Sequence, residues 1–155
     1  MQDHRKIIDL LIEHEKAFAR LYRVYSEHFP EHTEFWRSLA AEEEDHADWI
    51  RRLQNEADEG KLFIKDGRFN EKSIQSSLKY VTELIESAQN NVPLLINALS
   101  TSLWSERAMI EQKFIEIFAG DSAELGHTLS SLQEHTHDHI SRLENVLNEV
   151  KQRGY

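Results

Sequence analysis

Residues 34–55 of the chain read EFWRSLAAEEEDHADWIRRLQN, and this stretch decides the fold. Its apolar positions recur at alternating steps of three and four, a pattern typical of an amphipathic helix with one face toward a core. Glu43 and His46 occupy two positions on that inward face. The inward positions together are Trp36, Leu39, Glu43, His46, Ile50 and Leu53. Because a buried ionised carboxylate is costly unless a partner neutralises it, we expect a metal ion beside these two residues.

Two other helical segments carry the same anomaly. Glu15 lies in the apolar stripe of the first segment, and Glu106 lies in line with Ile96, Leu99 and Leu103 in a later one. Carboxylates on inward faces would repel one another without a cation, and oxygen and imidazole ligands suit iron, manganese or zinc. The alternative for each residue is a buried acid that is hydrogen-bonded to a Tyr, His or Arg side chain.

Composition limits the classes of function. The 155 residues are enough for one domain, spanning 1–155, with a sizeable core. The chain has no cysteine, which excludes thiol catalysis, Cys-based zinc sites and iron–sulfur clusters. A net charge of −10 makes nucleic acid a poor partner. With no apolar leader and no long apolar run, we expect a cytoplasmic protein that does not enter a membrane.

Prolines and glycines divide the chain into helical segments. The predicted helices are 3–28, 30–58, 71–89, 92–118 and a last one that runs from an Asp121 cap to residue 151. Pro30 is predicted to be the first residue of the second helix and Gly120 to end the fourth. Residues 61–69, with Leu62-Phe63-Ile64 followed by Asp66-Gly67, predict a turn or small hairpin.

The lengths of the connections predict how the four long helices pack. Links of a few residues make the first and second long helices antiparallel neighbours, and likewise the third and fourth. The middle link is long enough to contain its own helix, so the second and third long helices are free to run parallel. The predicted fold class is all-α: a ferritin-like four-helix bundle of two antiparallel helical hairpins, joined by a long crossover that contains an extra short helix.

Two registers are open for the last helix. A strict repeat of the first half would place Glu134 and His137 in the site. The apolar stripe instead turns Thr136 and His139 inward and puts Glu134 nearly on the far side, so we favour His139. The predicted metal ligands are therefore Glu15, Glu43, His46, Glu106 and His139, with Glu134 and His137 as second choice.

These residues resemble the rubrerythrin-like branch of the ferritin-like di-iron carboxylate proteins, over nearly the whole chain. The resemblance rests on Glu15, on the segment LAAEEEDHA at 39–47, on Glu106 and on the last-helix histidine. It implies two iron ions, one held by Glu15 and His46, the other by Glu106 and the last-helix histidine, with Glu43 bridging them. Tyr22 and Thr136 are expected beside the ligands.

The resemblance also implies oxidase, peroxidase or ferroxidase chemistry with oxygen, peroxide or ferrous iron. Because there is no cysteine-rich rubredoxin domain, an external electron donor is expected. Met109 replaces a further glutamate of such proteins, and Thr136 replaces a bridging one. These departures leave two alternatives open: a bundle that acts as a non-catalytic binding or scaffold module, and a single-ion zinc or manganese site. Apolar bundle faces also allow a homodimer.

Several polar residues outside this set are predicted to face solvent. They are His14, His28, His32, His135, Glu42 and Glu44.

Overall fold

The computed structural model describes residues 4–64, 68–111, 118–120 and 123–154, and within them the fold is an all-α bundle with one small strand pair. One further short feature is a 3₁₀ turn at Pro30–His32, and the two strands of the pair are antiparallel. In chain order the elements are α1 (His4–His28), α2 (Thr33–Asp58), β1 (Leu62–Ile64), α3 (Arg68–Asn90), α4 (Leu95–Glu111), β2 (Phe118–Gly120) and α5 (Ala123–Gln152).

Helices α1 and α2 form an antiparallel hairpin. Arg5, near the start of α1, pairs with Asp58 at the end of α2, whereas Tyr25 packs edge-to-face against Trp36 at the other end. Pro30 begins the 3₁₀ turn between the helices and not α2 itself, so the prediction that Pro30 is the first residue of the second helix is wrong. The Thr33 hydroxyl donates to the carbonyl of Ser26 at 3.0 Å and fastens this corner.

Helix α3 runs beside α1 in the same direction. Contacts along its length join Lys6 to Glu71, His14 to Ser77 and His28 to the carbonyl of Ala88. The chain therefore returns along the bundle before α4 begins.

Helices α4 and α5 complete the bundle. On α4, Glu106 lies beside Tyr22 of α1, and Thr101 lies beside Tyr25, so α4 is antiparallel to α1 and runs in the direction of α2. Helix α5 is antiparallel to α2. Its position is fixed by contacts from Arg142 to Glu42 and from His135 to Trp49.

The predicted hairpin near residue 62 is corrected by the structure. Strand β1 pairs with β2, far along the chain, with Leu62 opposite Gly120. Gly120 is needed there because a Cβ would lie 2.7 Å from the carbonyl oxygen of Lys61. The Asp66-Gly67 part of the prediction, and the Asp121 cap, lie outside the described residues.

The predicted helix over 92–118 is also too long at its start, because α4 begins at Leu95, and Phe118 belongs to β2. The prediction that Gly120 ends this helix is also wrong, because Gly120 is the last residue of strand β2. Residues 112–117 lie outside the described part of the chain.

The core is continuous along the bundle. Phe18, Tyr22 and Trp36 are fully buried and contact one another through their rings, at centroid distances of 5.8 Å for Phe18–Tyr22 and 5.7 Å for Tyr22–Trp36. This aromatic cluster supports the bundle immediately beside the inward-facing acids. No helix in the described ranges has the length and apolar character needed to cross a membrane.

Candidate metal centre

Five buried side chains from four helices converge inside the bundle. None is more than 2% exposed, and each occupies the apolar stripe of its own helix, so the periodicity that builds the core also aims them into it. They are Glu15 of α1, Glu43 and His46 of α2, Glu106 of α4 and His139 of α5. The structure thus brings together the five residues predicted as ligands, and their role as ligands stays a prediction.

The five residues form two groups that share one member. Glu15, Glu43 and His46 make one group, and Glu43, Glu106 and His139 make the other. In each group, one potential ligand atom per residue lies within 4.8 Å of the others. Glu43 therefore lies between two sets of oxygen and nitrogen atoms, each compact enough to surround a single ion.

The second group is the tighter one. His139 Nδ1 lies 2.7 Å from Oε1 of Glu43 and 3.4 Å from Oε1 of Glu106. In the first group, His46 Nδ1 lies 3.8 Å from Oε2 of Glu15 and 3.7 Å from Oε2 of Glu43. The two imidazole rings stack with centroids 5.4 Å apart, and each turns Nδ1 toward carboxyl oxygens.

Tyr22 holds one of the acids. Its hydroxyl donates a buried 2.7 Å hydrogen bond to Oε1 of Glu106. Burial, followed by the charge of Glu106, raises the pKa of Tyr22 well above 10, so the phenol keeps the proton that it donates. Tyr22 therefore lies beside the acids, as expected.

The electrostatics of the centre without a metal favour bound protons. Burial, and then the neighbouring charge of Glu43, raise the pKa of Glu15 to about 8. Burial alone would lower the pKa of His46, but contacts with Glu15 and Glu43 outweigh burial and raise it to about 10. Likewise, contacts with Glu106 and Glu43 overcome burial and raise the pKa of His139 to about 11.

Glu43 behaves in the opposite way. Burial and repulsion by Glu106 act to raise its pKa, but contacts with Glu15, His139 and His46 prevail and lower it. The shared carboxylate is therefore ionised and neighbours three groups that carry protons. A metal ion is the other way to balance this charge, because it takes the place of those protons.

Buried polar atoms without partners supply a test of whether the centre fits a cation. Within the described residues, Oε2 of Glu15 and Oε2 of Glu43 have no hydrogen-bond partner. An unsatisfied buried polar atom costs about 1–3 kcal/mol, so such atoms call for a ligand. Both oxygens lie on the side of His46 Nδ1, and a cation there would meet all three atoms. The donor set of oxygen and nitrogen fits iron, manganese or zinc.

The register of α5 follows the apolar stripe. Thr136 and His139 are buried, whereas Glu134 and His137, the second choice, are exposed and belong to neither group among the described residues. The Thr136 hydroxyl is not hydrogen-bonded to the acids. It donates a 2.8 Å hydrogen bond to the carbonyl of Leu132 in its own helix. Met109 is buried at 3% exposure and adds no oxygen.

Sequence reasoning missed a pair of residues behind His139. Glu42, expected to face water, is half-buried, and its Oε1 lies 3.6 Å from His139 Nε2. Arg142 donates to both oxygens of Glu42, at 3.0 and 2.8 Å. It also donates to Asp138 and Ser38, so the carboxylate is held firmly. The sequence signal that could have identified Arg142 was its position, one helical turn after His139.

Two histidines predicted to face solvent also lie near the centre. His14 is fully buried and lies 2.7 Å from the Ser77 hydroxyl of α3; burial lowers its pKa to about 4, so it is neutral. His135 is half-buried and packs its ring against those of His46 and Trp49. His28 and His32 are half-buried too, whereas Glu44 is exposed as expected.

Searches of protein-family models, curated proteins and solved structures each found no match to this chain. The resemblance to rubrerythrin-like proteins therefore stays a prediction that rests on the residues named above.

Proposed function

We propose that this chain is a ferritin-like bundle that binds two iron-class ions. The observation that carries the proposal is the sharing of buried Glu43 by two groups of potential ligands. Glu15 and His46 would hold one ion, Glu106 and His139 the other, with Glu43 between them. Oxygen and imidazole donors without sulfur suit iron, and manganese and zinc accept the same set.

The directions of the helices support a ferritin-like arrangement. Helix α3 returns the chain along α1, so α2 and α4 run the same way and each pairs with an antiparallel partner. A long crossover between two helical hairpins is the connection found in ferritin-like bundles, whose metals lie between the four long helices. The candidate centre is built from α1, α2, α4 and α5, and this composition supports the proposal.

When bound, a pair of iron ions would supply redox chemistry toward oxygen, peroxide or ferrous iron. The chain's own residues contribute burial and orientation. Tyr22 holds Glu106 through a hydrogen bond, and Glu42, which is paired with Arg142, lies beside His139 Nε2. The packed core keeps bulk water from the acids, which strengthens their interaction with charge. These 155 residues contain no cysteine, so the bundle itself would take electrons from a donor outside it or from ferrous iron.

A single-ion zinc or manganese site is the second candidate. It is favoured by the shortage of oxygen ligands in the second half, where Thr136 is bonded to its own helix and Met109 supplies none. His139, Glu43 and Glu106 already form a compact set of three donors for one ion.

Metal counting tests the proposal. Protein freed of metal with a chelator is loaded with ferrous iron under anaerobic conditions, desalted and measured by mass spectrometry of the elements. We expect about two ions per chain in the wild type and at most about one in Glu43→Ala. The matched control is Glu134→Ala, which removes an exposed glutamate and should leave the count unchanged. Less than one ion per chain, or an unaffected Glu43→Ala count, would contradict the proposal.

A redox readout separates the candidates. Oxygen or peroxide added to the iron-loaded protein should change its near-ultraviolet absorption, whereas zinc-loaded protein should stay silent. A count of one ion with no spectral change would favour the single-ion site. A thermal midpoint that does not respond to chelator would favour the scaffold module, because a bound metal stabilises the folded state by mass action.

A further inference from the structure

A groove runs along the outer face of the α1–α2 hairpin, on the side away from α4 and α5. Its volume is about 410 Å³, within the range of small-molecule sites. We refer to it as the outer groove; it is lined by four residues of α1 and four of α2, which are Lys16, Ala19, Arg20, Arg23, Glu44, Ala47, Asp48 and Arg51. It is separate from the candidate metal centre, because the residues that α1 and α2 contribute to that centre are buried on the inner side of these helices.

The α1 wall of the outer groove is basic. Lys16, Ala19, Arg20 and Arg23 line it, at the three- and four-residue spacing that places side chains on one face of a helix. Ala19 is buried, whereas Arg20 and Arg23 are exposed. Three cations therefore lie along about two turns of helix, with a small residue between them.

The α2 wall repeats this spacing with mixed charge. Glu44, Ala47, Asp48 and Arg51 line it. Ala47 is buried at 2% exposure, like Ala19. An alanine from each helix thus lines the groove between longer side chains, and the short methyl groups account for the depression.

The groove has an excess of positive charge. Arg23 pairs with Glu44, and Arg51 lies 2.7 Å from Asp48. In the described part of the chain, Lys16 and Arg20 have no acidic side chain within ion-pair distance. Four cations face two carboxylates, although the whole chain carries a net charge of −10. Local charge of the opposite sign to the whole protein indicates a site for an anion.

The two ion pairs do not close the groove to such a ligand. Their side chains are 47% to 59% exposed, and exposed pairs contribute only about 0–1 kcal/mol. Arg23 and Arg51 are therefore held over the groove but are available to a stronger acceptor. Arginine forks bind phosphate through two parallel hydrogen bonds, and phosphate carries more charge than a carboxylate.

We propose that the outer groove binds a small molecule that carries two phosphate groups. The concave shape fits a small ligand rather than a flat protein surface. Because α1 and α2 are antiparallel and Arg23 pairs with Glu44, the length of the groove separates Lys16 and Arg51 at one end from Arg23 at the other, which leaves room for one phosphate at each end. The residues that line it include no aromatic side chain, so recognition depends on the phosphates and not on a stacked ring. This site is independent of the metal centre and of the proposed function.

Calorimetric titration of the metal-free protein with fructose 1,6-bisphosphate at low ionic strength tests the proposal. We expect saturable binding that weakens with added sodium chloride, because salt screens the attraction. In the double variant Lys16→Gln, Arg20→Gln, affinity should fall about tenfold or more. The matched control removes one exposed lysine and one exposed arginine elsewhere, as Arg52→Gln, Lys79→Gln, and should change affinity by less than about twofold.

A second variant acts in the opposite direction. Asp48→Asn releases Arg51 and removes a negative charge from the groove, so the bisphosphate should bind about two- to threefold more tightly. Absence of saturable binding, equal losses in the groove and control variants, or weaker binding in Asp48→Asn would overturn the proposal. Tighter binding of the tricarboxylate tricarballylate than of the bisphosphate would overturn the assignment to phosphates.

Discussion

The hydroxyl of Tyr22 on α1 and Oε1 of Glu106 on α4 are 2.7 Å apart, in a hydrogen bond that joins the first half of the chain to the second. It is buried, and the raised pKa of Tyr22 keeps the donor protonated. The same oxygen of Glu106 lies 3.4 Å from His139 Nδ1 on α5. One carboxylate oxygen is thus fixed from two helices before any metal arrives.

Removal of that hydroxyl should weaken the fold. We expect Tyr22→Phe to lower the free energy of unfolding of the metal-free protein by about 1–2 kcal/mol, because a buried acceptor loses its donor. Urea unfolding followed by circular dichroism measures this. Tyr80→Phe, at a half-buried residue whose ring packs on Trp104, is the control and should have little effect. Equal stability of Tyr22→Phe and wild type would contradict the prediction.

Loss of Arg142 should weaken the half of the centre that contains His139. Without Arg142, the Glu42 carboxylate is no longer held 3.6 Å from His139 Nε2, an ion-pair distance longer than a hydrogen bond. Hydrogen-bonded groups that orient a ligating histidine are worth about 10- to 100-fold in metal affinity, so we expect a loss of about tenfold or less here. Competition with a fluorescent chelator should show this loss in Arg142→Gln. Arg107→Gln breaks an exposed ion pair with Glu144 that joins α4 to α5 and should leave affinity unchanged. Equal affinities in the two variants would refute the role of Arg142.

The register of α5 can be read from metal content. We expect His139→Gln to lose about one ion per chain, since its Nδ1 lies 2.7 Å from Glu43 and 3.4 Å from Glu106 in the second group. His137→Gln removes an exposed imidazole two residues away and should retain the wild-type count. If His137→Gln lost metal and His139→Gln did not, the strict repeat of the first half would be correct instead.

Stability of the metal-free protein should fall as pH rises from 6.5 to 9. The pKa of His46 is raised from 6.5 to about 10 and that of His139 to about 11, so the folded state holds protons that the unfolded chain has lost. Glu15, raised from 4.5 to about 8, acts in the same direction up to pH 8. Over this pH range the free energy of unfolding should fall by about 2 kcal/mol or more.

Urea midpoints at several pH values measure this slope. Glu15→Gln is the informative variant, because it removes one of the proton-binding groups and a partner of His46, and the slope should become shallower. Stability that rises through this pH range in the wild type would contradict the assigned protonation states.

Metal binding near neutral pH should release protons. Glu15, His46 and His139 carry protons at pH 7 in the metal-free centre, and ligands must lose them to coordinate an ion. Titrations with zinc in buffers of different ionisation enthalpy should show release of about two to three protons per filled chain, and affinity should increase with pH. The Glu43→Ala variant should release fewer protons when zinc is added. Binding without proton release would show that the metal lies elsewhere.

Helical periodicity was sufficient to find the acids. Glu15, Glu43 and Glu106 each interrupt an apolar stripe, and a stripe buries all its members whatever their chemistry. The same rule resolved α5, where the symmetric choice, Glu134, lies off the stripe and is exposed. The all-α class and the ends of α1 and α3 followed from the same pattern together with proline and glycine, whereas α3 begins at Arg68, three residues before its predicted start.

The burial and pairing of residues that depend on which distant element packs beside them could not be predicted from the sequence. His14 lies beside the stripe of α1 and is buried only because α3 packs there and offers Ser77. Glu42 is half-buried because Arg142 comes across from α5. The segment at Leu62 has the pattern of a strand, but nothing in the local sequence identifies Phe118–Gly120 as the strand with which it pairs.

The β1–β2 pairing has a mechanical consequence for the bundle. Leu62 follows the first helical hairpin and Gly120 precedes the last helix, so their pairing ties the two halves of the molecule together at one end. Each hairpin forms from neighbours in sequence, whereas this tie closes a long loop, which carries an entropic cost and slows formation. Once closed, it prevents one pair of helices from sliding along the other, and so preserves the alignment of carboxylates that approach from opposite halves.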